Sequence, residues 1–242
     1  MSQGEVLRSG RSEHPHGTRT AHLRERGVVF FRDTHLADLR HFLTEWTSPY
    51  VHPHETQPGL TLIEPRGATG RGEDGFSRED MGLHTDRATS RTPPSIVALL
   101  VLQSPRSGGE ALLMDGAELL RSIPDIGTRD AKNDFFLGAG SRVLFPVCEE
   151  AGGRGFVRIR YRCDDIARPV ALGKASGRAL DDIENLRRAR RFPLPLGTGC
   201  IIHNHRYLHG RTRFEGGRSI ARILADVDPG FSLSWLNTGF RY

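Results

Sequence analysis

Short apolar runs follow one another along this chain with glycine turns between them, and strict β-α-β alternation is missing. That pattern removes the doubly wound folds. It leaves an all-β core with decoration: a sandwich, a barrel or a jelly roll. The predicted strands are GVVFFR (27–32), TLIE (61–64), SIVALLVLQSP (95–105), EALLMD (110–115), SRVLFPV (141–147) and GFVRIRYR (155–162). Near the end, GCIIHNHRYLHGR (199–211) and SIARILADV (219–227) read as two more strands, joined by a turn at Glu215–Gly217. Three segments carry helical spacing instead. In 34–46 Leu36, Leu39, Phe42, Leu43 and Trp46 recur at that spacing behind Thr34 as cap; 116–123 follows Asp115 as cap and stops at Pro124; 176–191 carries Leu180, Ile183 and Leu186.

The chain has 242 residues, enough for one domain with a real core. Residues 1–26 are polar and without apolar periodicity, which predicts a mobile tail before a single domain over 27–242. Residues 65–80 hold glycine and charge without periodicity, a stretch long enough to predict a lid. No run reaches the roughly 18 apolar residues of a membrane helix, and no early apolar segment reads as a secretion signal. Cys148, Cys163 and Cys200 are too few and too widely spaced for a disulfide framework, so a cytoplasmic setting is expected. The net charge of +5 rests almost wholly on scattered arginine, with Lys132 and Lys174 the only lysines. Without aromatic interleaving or a binding module, neither nucleic acid nor membrane is expected as a partner.

The chemistry starts at MGLHTDRATS, residues 81–90. In an extended chain His84 and Asp86 point to the same side. Alone, H-x-D reads as a surface pair. A metal would need a further ligand, and IIHNHRYLHGR offers His203, His205 and His209. Two histidines and one carboxylate form the facial triad of non-haem iron(II) oxygenases, which leaves three positions for a bidentate cosubstrate and dioxygen. Downstream, Arg218, Ile220 and Arg222 share one face of a strand. Such guanidinium groups grip carboxylates bidentately, as a dicarboxylate cosubstrate requires.

In order along the chain, GLHTDRA, SGGEALLMDGAELL and NHRYLHGRTRF followed by R-x-x-x-R resemble the iron(II)/2-oxoglutarate-dependent oxygenases of the taurine dioxygenase and clavaminate synthase-like family, from about residue 27 to the end. The resemblance implies a double-stranded β-helix, a kind of jelly roll, with a few flanking helices. It implies His84, Asp86 and His209 as iron ligands, Arg222 on the distal carboxylate of 2-oxoglutarate, and Arg218 near its chelating end. The implied reaction uses Fe(II), 2-oxoglutarate and dioxygen to hydroxylate or otherwise oxidise an unactivated C–H bond. The expected substrate is a small polar molecule, an amino acid or an intermediate of specialised metabolism such as antibiotic biosynthesis. Asp164 and Asp165, after the arginine-rich strand, are candidate contacts for a cationic substrate group, and Arg211 is a candidate active-site contact. Two positions depart from the family pattern: Ala111 stands where a threonine often contacts 2-oxoglutarate, and His203-Asn204 replaces Asp-Asn.

Rival readings are a non-catalytic or cupin-like metal-binding barrel, which has no need of the arginine pair, and structural zinc at Cys200, His203, His205 and His209. Period-two geometry separates Cys200 from the odd-numbered histidines and weighs against zinc. A halogenase would lack the carboxylate ligand that Asp86 supplies.

Overall fold

The computed structural model describes residues 15–67, 73–122, 135–139, 143–152, 155–171 and 188–242. It is mainly β. A six-stranded antiparallel sheet runs in the order Val28–Phe31, Gly199–His203, Ile96–Gln103, Ser219–Val227, Thr47–Pro49, with Leu60–Ile63 also paired to Ser219–Val227. A four-stranded sheet runs Arg190–Phe192, Ala111–Asp115, Tyr207–Arg211, Met81–His84.

Side-chain alternation sorts the apolar residues into three layers. From the central strand of the larger sheet, Ile96, Ala98 and Leu100 point outward to a cluster holding Leu39, Phe42 and Leu43 of the flanking helix and Trp46 just after it. Val97 points the other way and meets Leu113 and Tyr207 of the smaller sheet. The far face of the smaller sheet sends Leu83, Leu112, Met114 and Leu208 into a third cluster with Val157, Ile159 and Phe240. The middle layer, between the sheets, is the one that opens toward the histidines.

Several expectations change in detail. The apparent long strand 199–211 is two strands in two different sheets, separated by a turn at Asn204–Arg206. At this turn Asn204 donates its N–H to the Ser95 carbonyl, and its side-chain amide binds the backbone of Asp86 and Pro94, as shown below. Residues 15–26 form a helix, Pro15–Arg26, where a polar tail was predicted. Leu23 is its anchor, 1% exposed in the outer cluster; burial of one such side chain contributes roughly 1.5–3 kcal/mol. The helix expected over 34–46 is Leu36–Thr44, and His35 rather than Thr34 occupies its N-cap. Thr34 instead donates its hydroxyl to the Arg32 carbonyl. Asp115 does cap its helix, Gly116–Ser122, by accepting the Ala117 N–H at 2.9 Å. Most of the helix predicted over 176–191 lies outside the described residues, and its last residues enter the strand Arg190–Phe192. Among the described residues no helix is long and apolar enough to cross a membrane.

Candidate metal centre

His84 ends one strand of the smaller sheet, and His209 lies directly opposite it on the next strand. Their rings stand 4.4 Å apart between centroids. The strands approach closely there because residue 210 is glycine: a Cβ on Gly210 would come within 2.5 Å of the Met81 carbonyl. Asp86 follows two residues later on the same side as His84. Between them Thr85 faces away, donating its N–H to the Tyr161 carbonyl at 2.9 Å and accepting the Tyr161 N–H on its hydroxyl.

Asp86 is fixed by Asn204. The Asp86 N–H donates to Asn204 Oδ1 at 2.8 Å, and Asn204 Nδ2 donates to the carbonyls of Asp86 and Pro94. Every atom of this clamp is buried. It ties the turn that starts the His209 strand to the backbone of the other ligand. Farther along, Arg160 donates to the carbonyls of Ala88, Ser90 and Arg91 and to Glu149, which fixes the loop leaving Asp86.

The imidazoles of His84 and His209 and the Asp86 carboxylate place one ligand atom each within 4.8 Å of one another, all buried. His84 donates Nδ1–H to the Gly82 carbonyl at 3.0 Å, which leaves Nε2 bare for a ligand bond. Burial, then the neighbouring His209, push His84 down to about 3, so it is neutral, the form that binds a metal. His209 Nε2 lies 3.3 Å from Asp86 Oδ2, yet that carboxylate oxygen has no hydrogen-bond partner. Burial alone would raise the Asp86 carboxyl, but Arg222 and the two histidines outweigh it and hold it well below the usual range. A buried, half-satisfied carboxylate between two imidazoles fits a bound divalent cation. Ligands about 2 Å from one ion in an octahedral face sit about 3 Å from each other, close to the observed 3.3 Å.

Two cavities meet at this cluster. The outer, about 350 Å³, is lined by His52, Phe76, Met81, Asp86, Arg87 and Arg222 among others. The inner, about 70 Å³, is lined by His84, Leu99, His209, Arg218, Ile220 and Arg222 among others. The arginine pair does share this face, as the period of two predicted. Its two members differ, however. Arg222 donates from Nη1 to Asp86 Oδ1 at 2.7 Å and lies 3.3 Å from His52 Nε2, so it stands at the metal end. Arg218 makes no hydrogen bond or ion pair among the described residues and lies over the Phe214 ring. Burial, and then Arg211, lower it to about 10. The sequence expectation put Arg222 on the distal carboxylate and Arg218 near the chelating end; the four-residue step along the strand sets Arg218, not Arg222, away from Asp86.

Ala111 lines the inner cavity, so an apolar wall stands where the family threonine was expected. Arg211 is buried, and its guanidinium holds the carbonyls of Asp74, Ser77 and Glu79. It therefore anchors the far half of the 65–80 loop, whose Phe76 is buried beneath the Arg66 guanidinium at 3.8 Å. Asp164 accepts the N–H groups of Ile166 and Ala167 and pairs with Arg162 at 2.5 Å, whereas Asp165 is exposed. Both lie near Asp74 beside a smaller cavity next to His84. His203 and His205 are buried in another cluster, His203 bonded to the Leu236 carbonyl, and neither reaches the metal centre. The bidentate Arg206–Asp115 pair is equally remote. Residue reading did not single out His52, Arg87 or Arg160. Arg87 had the clearest signal, since it directly follows the metal motif.

Residues 8–126 match the profile of a family described as taurine catabolism dioxygenase TauD, TfdA, a span that includes His84 and Asp86. No curated protein matches the chain by sequence. Among solved structures, the chain resembles PvcB of Pseudomonas aeruginosa, described as an Fe, alpha-ketoglutarate dependent oxygenase from an isonitrile synthetic pathway. Identity is 16%, coverage 93% of this chain and 86% of that one, and the TM-score 0.67. A taurine dioxygenase from Burkholderia xenovorans is 18% identical over 89% and 83% of the two chains, with a TM-score of 0.64. The non-heme iron oxygenase OrfP, solved with Fe, succinate and (3S)-hydroxy-L-Arg, is 14% identical over 93% and 84%, with a TM-score of 0.65. The family resemblance read from the sequence is borne out.

Proposed function

We propose that this chain, carrying the taurine dioxygenase family pattern, is an iron(II)- and 2-oxoglutarate-dependent dioxygenase acting on a small polar substrate. The observation that carries the reading is the buried convergence of His84, Asp86 and His209. The two facing sheets are read as the two walls of a double-stranded β-helix. No disulfide joins the three cysteines, which suits the cytoplasmic setting expected from the sequence.

In this reading His84, Asp86 and His209 hold the iron. When bound, iron(II) with 2-oxoglutarate and dioxygen supplies the oxidising power: the cosubstrate leaves as succinate and CO₂, and one oxygen atom enters the substrate C–H bond. The chain's own residues do the rest. Gly82 fixes the His84 tautomer. Arg222 occupies one oxygen of Asp86 and leaves the other for the metal. Arg218 is the group for the distal carboxylate, because it is a half-buried cation that lines the narrow cavity and has no acidic partner among the described residues. His52, lowered to about 4 by burial and then by Arg222, is a neutral wall of the outer cavity. Arg211 and Phe76 hold one end of the loop over the metal and exclude water there. The rival barrel without catalysis leaves the partnerless Arg218 unexplained.

The test is direct. Purified protein loaded with iron(II) should hold one ion per chain and release succinate from 2-oxoglutarate. His84→Ala and His209→Ala should each abolish both. Full iron content in either variant would move the centre elsewhere. A mass-spectrometric screen of amino acids and related intermediates would then name the substrate.

A further inference from the structure

The outer cavity holds a cation that the reaction above does not use. Three arginines line it: Arg87, Arg162 and Arg222. Arg222 is paired with Asp86 at 2.7 Å and Arg162 with Asp164 at 2.5 Å. Arg87 is left over. Among the described residues its side chain has no hydrogen bond or ion pair, and its Nε is buried without a partner. Its backbone is also costly, a non-glycine residue at φ 55°. A left-handed conformation outside glycine commonly marks a functional position. Here it turns the chain just after Asp86, and the Arg87 side chain lines the cavity. A guanidinium stays charged when removed from water and is satisfied best by a carboxylate, which it can grip with two bonds.

From this geometry we infer that Arg87 is the carboxylate-recognising residue for the primary substrate, which is therefore a small acid bearing a free carboxylate. The rest of the lining sets its body: Ile63, Phe76, Met81 and Ile166 give an apolar wall suited to an aliphatic portion, in a cavity of about 350 Å³. Arg218 has the matching role for the cosubstrate, so each cavity carries one unpaired cation for one acid. The inference rests on the oxygenase reading only in calling the occupant a substrate.

The test separates the two. Isovalerate and isovaleramide share one aliphatic body and differ in the charge. Their affinities are measured by NMR titration on anaerobic protein carrying iron(II) and saturating 2-oxoglutarate. Isovalerate should bind at least tenfold more tightly than the amide. Arg87→Asn keeps a residue that tolerates the left-handed backbone, and it should bring isovalerate down to the level of the amide. Arg87→Lys should retain part of the preference. Iron content and 2-oxoglutarate affinity should stay within twofold in both variants. Equal binding of acid and amide, no binding of isovalerate, or an Arg87→Asn variant that still prefers the acid would each overturn the inference. So would loss of iron or 2-oxoglutarate binding in both variants, which would place Arg87 at the metal end. If wild-type protein bound no iron but still preferred the acid through Arg87, the carboxylate site would stand and the oxygenase reading would fall.

Discussion

The two cavities that share Arg222 and His84 differ fivefold in volume, about 350 Å³ against about 70 Å³. The inner one is bounded by strand residues on both sides: Leu99 and Ile220 from the larger sheet, Ala111 and His209 from the smaller. The outer one is bounded mainly by loops, through His52, Pro53, Phe76, Arg87 and Ile166. Strand ladders fix positions through backbone bonds that do not depend on side-chain identity. Loops carry whichever side chain the sequence supplies. The inner cavity is thus suited to an invariant cosubstrate and the outer one to a substrate particular to this chain.

The largest expected effect breaks both cavities at once. Asp86→Ala removes the shared ligand and frees Arg222, so iron content and succinate release should both be lost. Metal analysis that found normal iron in this variant would place the carboxylate ligand elsewhere. Next comes Asn204→Ala, which strips three buried hydrogen bonds from the Asp86 and Pro94 backbone. Each buried group left unsatisfied costs about 1–3 kcal/mol. Thermal melts should show a clear loss of stability, and iron affinity should fall. An unchanged melt would mean that the clamp contributes nothing in solution.

The arginines sharpen the contrast between the cavities. Arg218→Gln should raise the KM for 2-oxoglutarate by roughly 10- to 100-fold, as expected for a charge-assisted pair of about 1.5–3 kcal/mol, with iron content intact. Arg222→Gln should weaken iron binding too, because Asp86 loses the cation that holds it ionised. The reverse pattern in the two variants would restore the assignment first read from the sequence.

The smallest effect lies outside both cavities. His203, lowered to about 3 by burial, and His205, lowered by burial and by His203, are neutral in the fold. His203 faces the Leu236 carbonyl, Arg206, Arg158 and Asp115, and His205 faces Arg158 and Arg160. The unfolded chain binds these protons below about 6.5 and the folded chain does not. Stability from the pair is therefore fully present above about 6.5 and is lost as pH falls below it. At pH 5 the loss is at most about 2 kcal/mol per histidine. Melting temperatures at pH 7.5 and 5 should differ less for His203→Gln than for the wild type. An equal difference would assign the acid sensitivity to other groups.

The ligands were legible because H-x-D needs only the local period of an extended chain, and that period survives folding. The apolar alternation of 95–103 and 219–227 was legible for the same reason. Residues 199–211 look like one strand because Asn204 sits among residues of high strand content. Its break depends on Asp86 and Pro94, more than a hundred residues earlier in the chain. The helix Pro15–Arg26 was missed because Leu23 is its one buried apolar side chain among the described residues, and one residue makes no period.

By itself, then, the sequence determined the β class, the two facing residues of the metal motif and the shared face of Arg218 and Arg222, all consequences of local repeat. Residue spacing left His203, His205 and His209 open; the resemblance implied His209, and the tertiary structure brings His209 to that motif. It alone decided that Arg222 pairs with Asp86 while Arg218 does not, and that Arg211 is spent on loop carbonyls. Those choices are made by the register between strands and by competition for a few buried acceptors. Neither is encoded within any one segment.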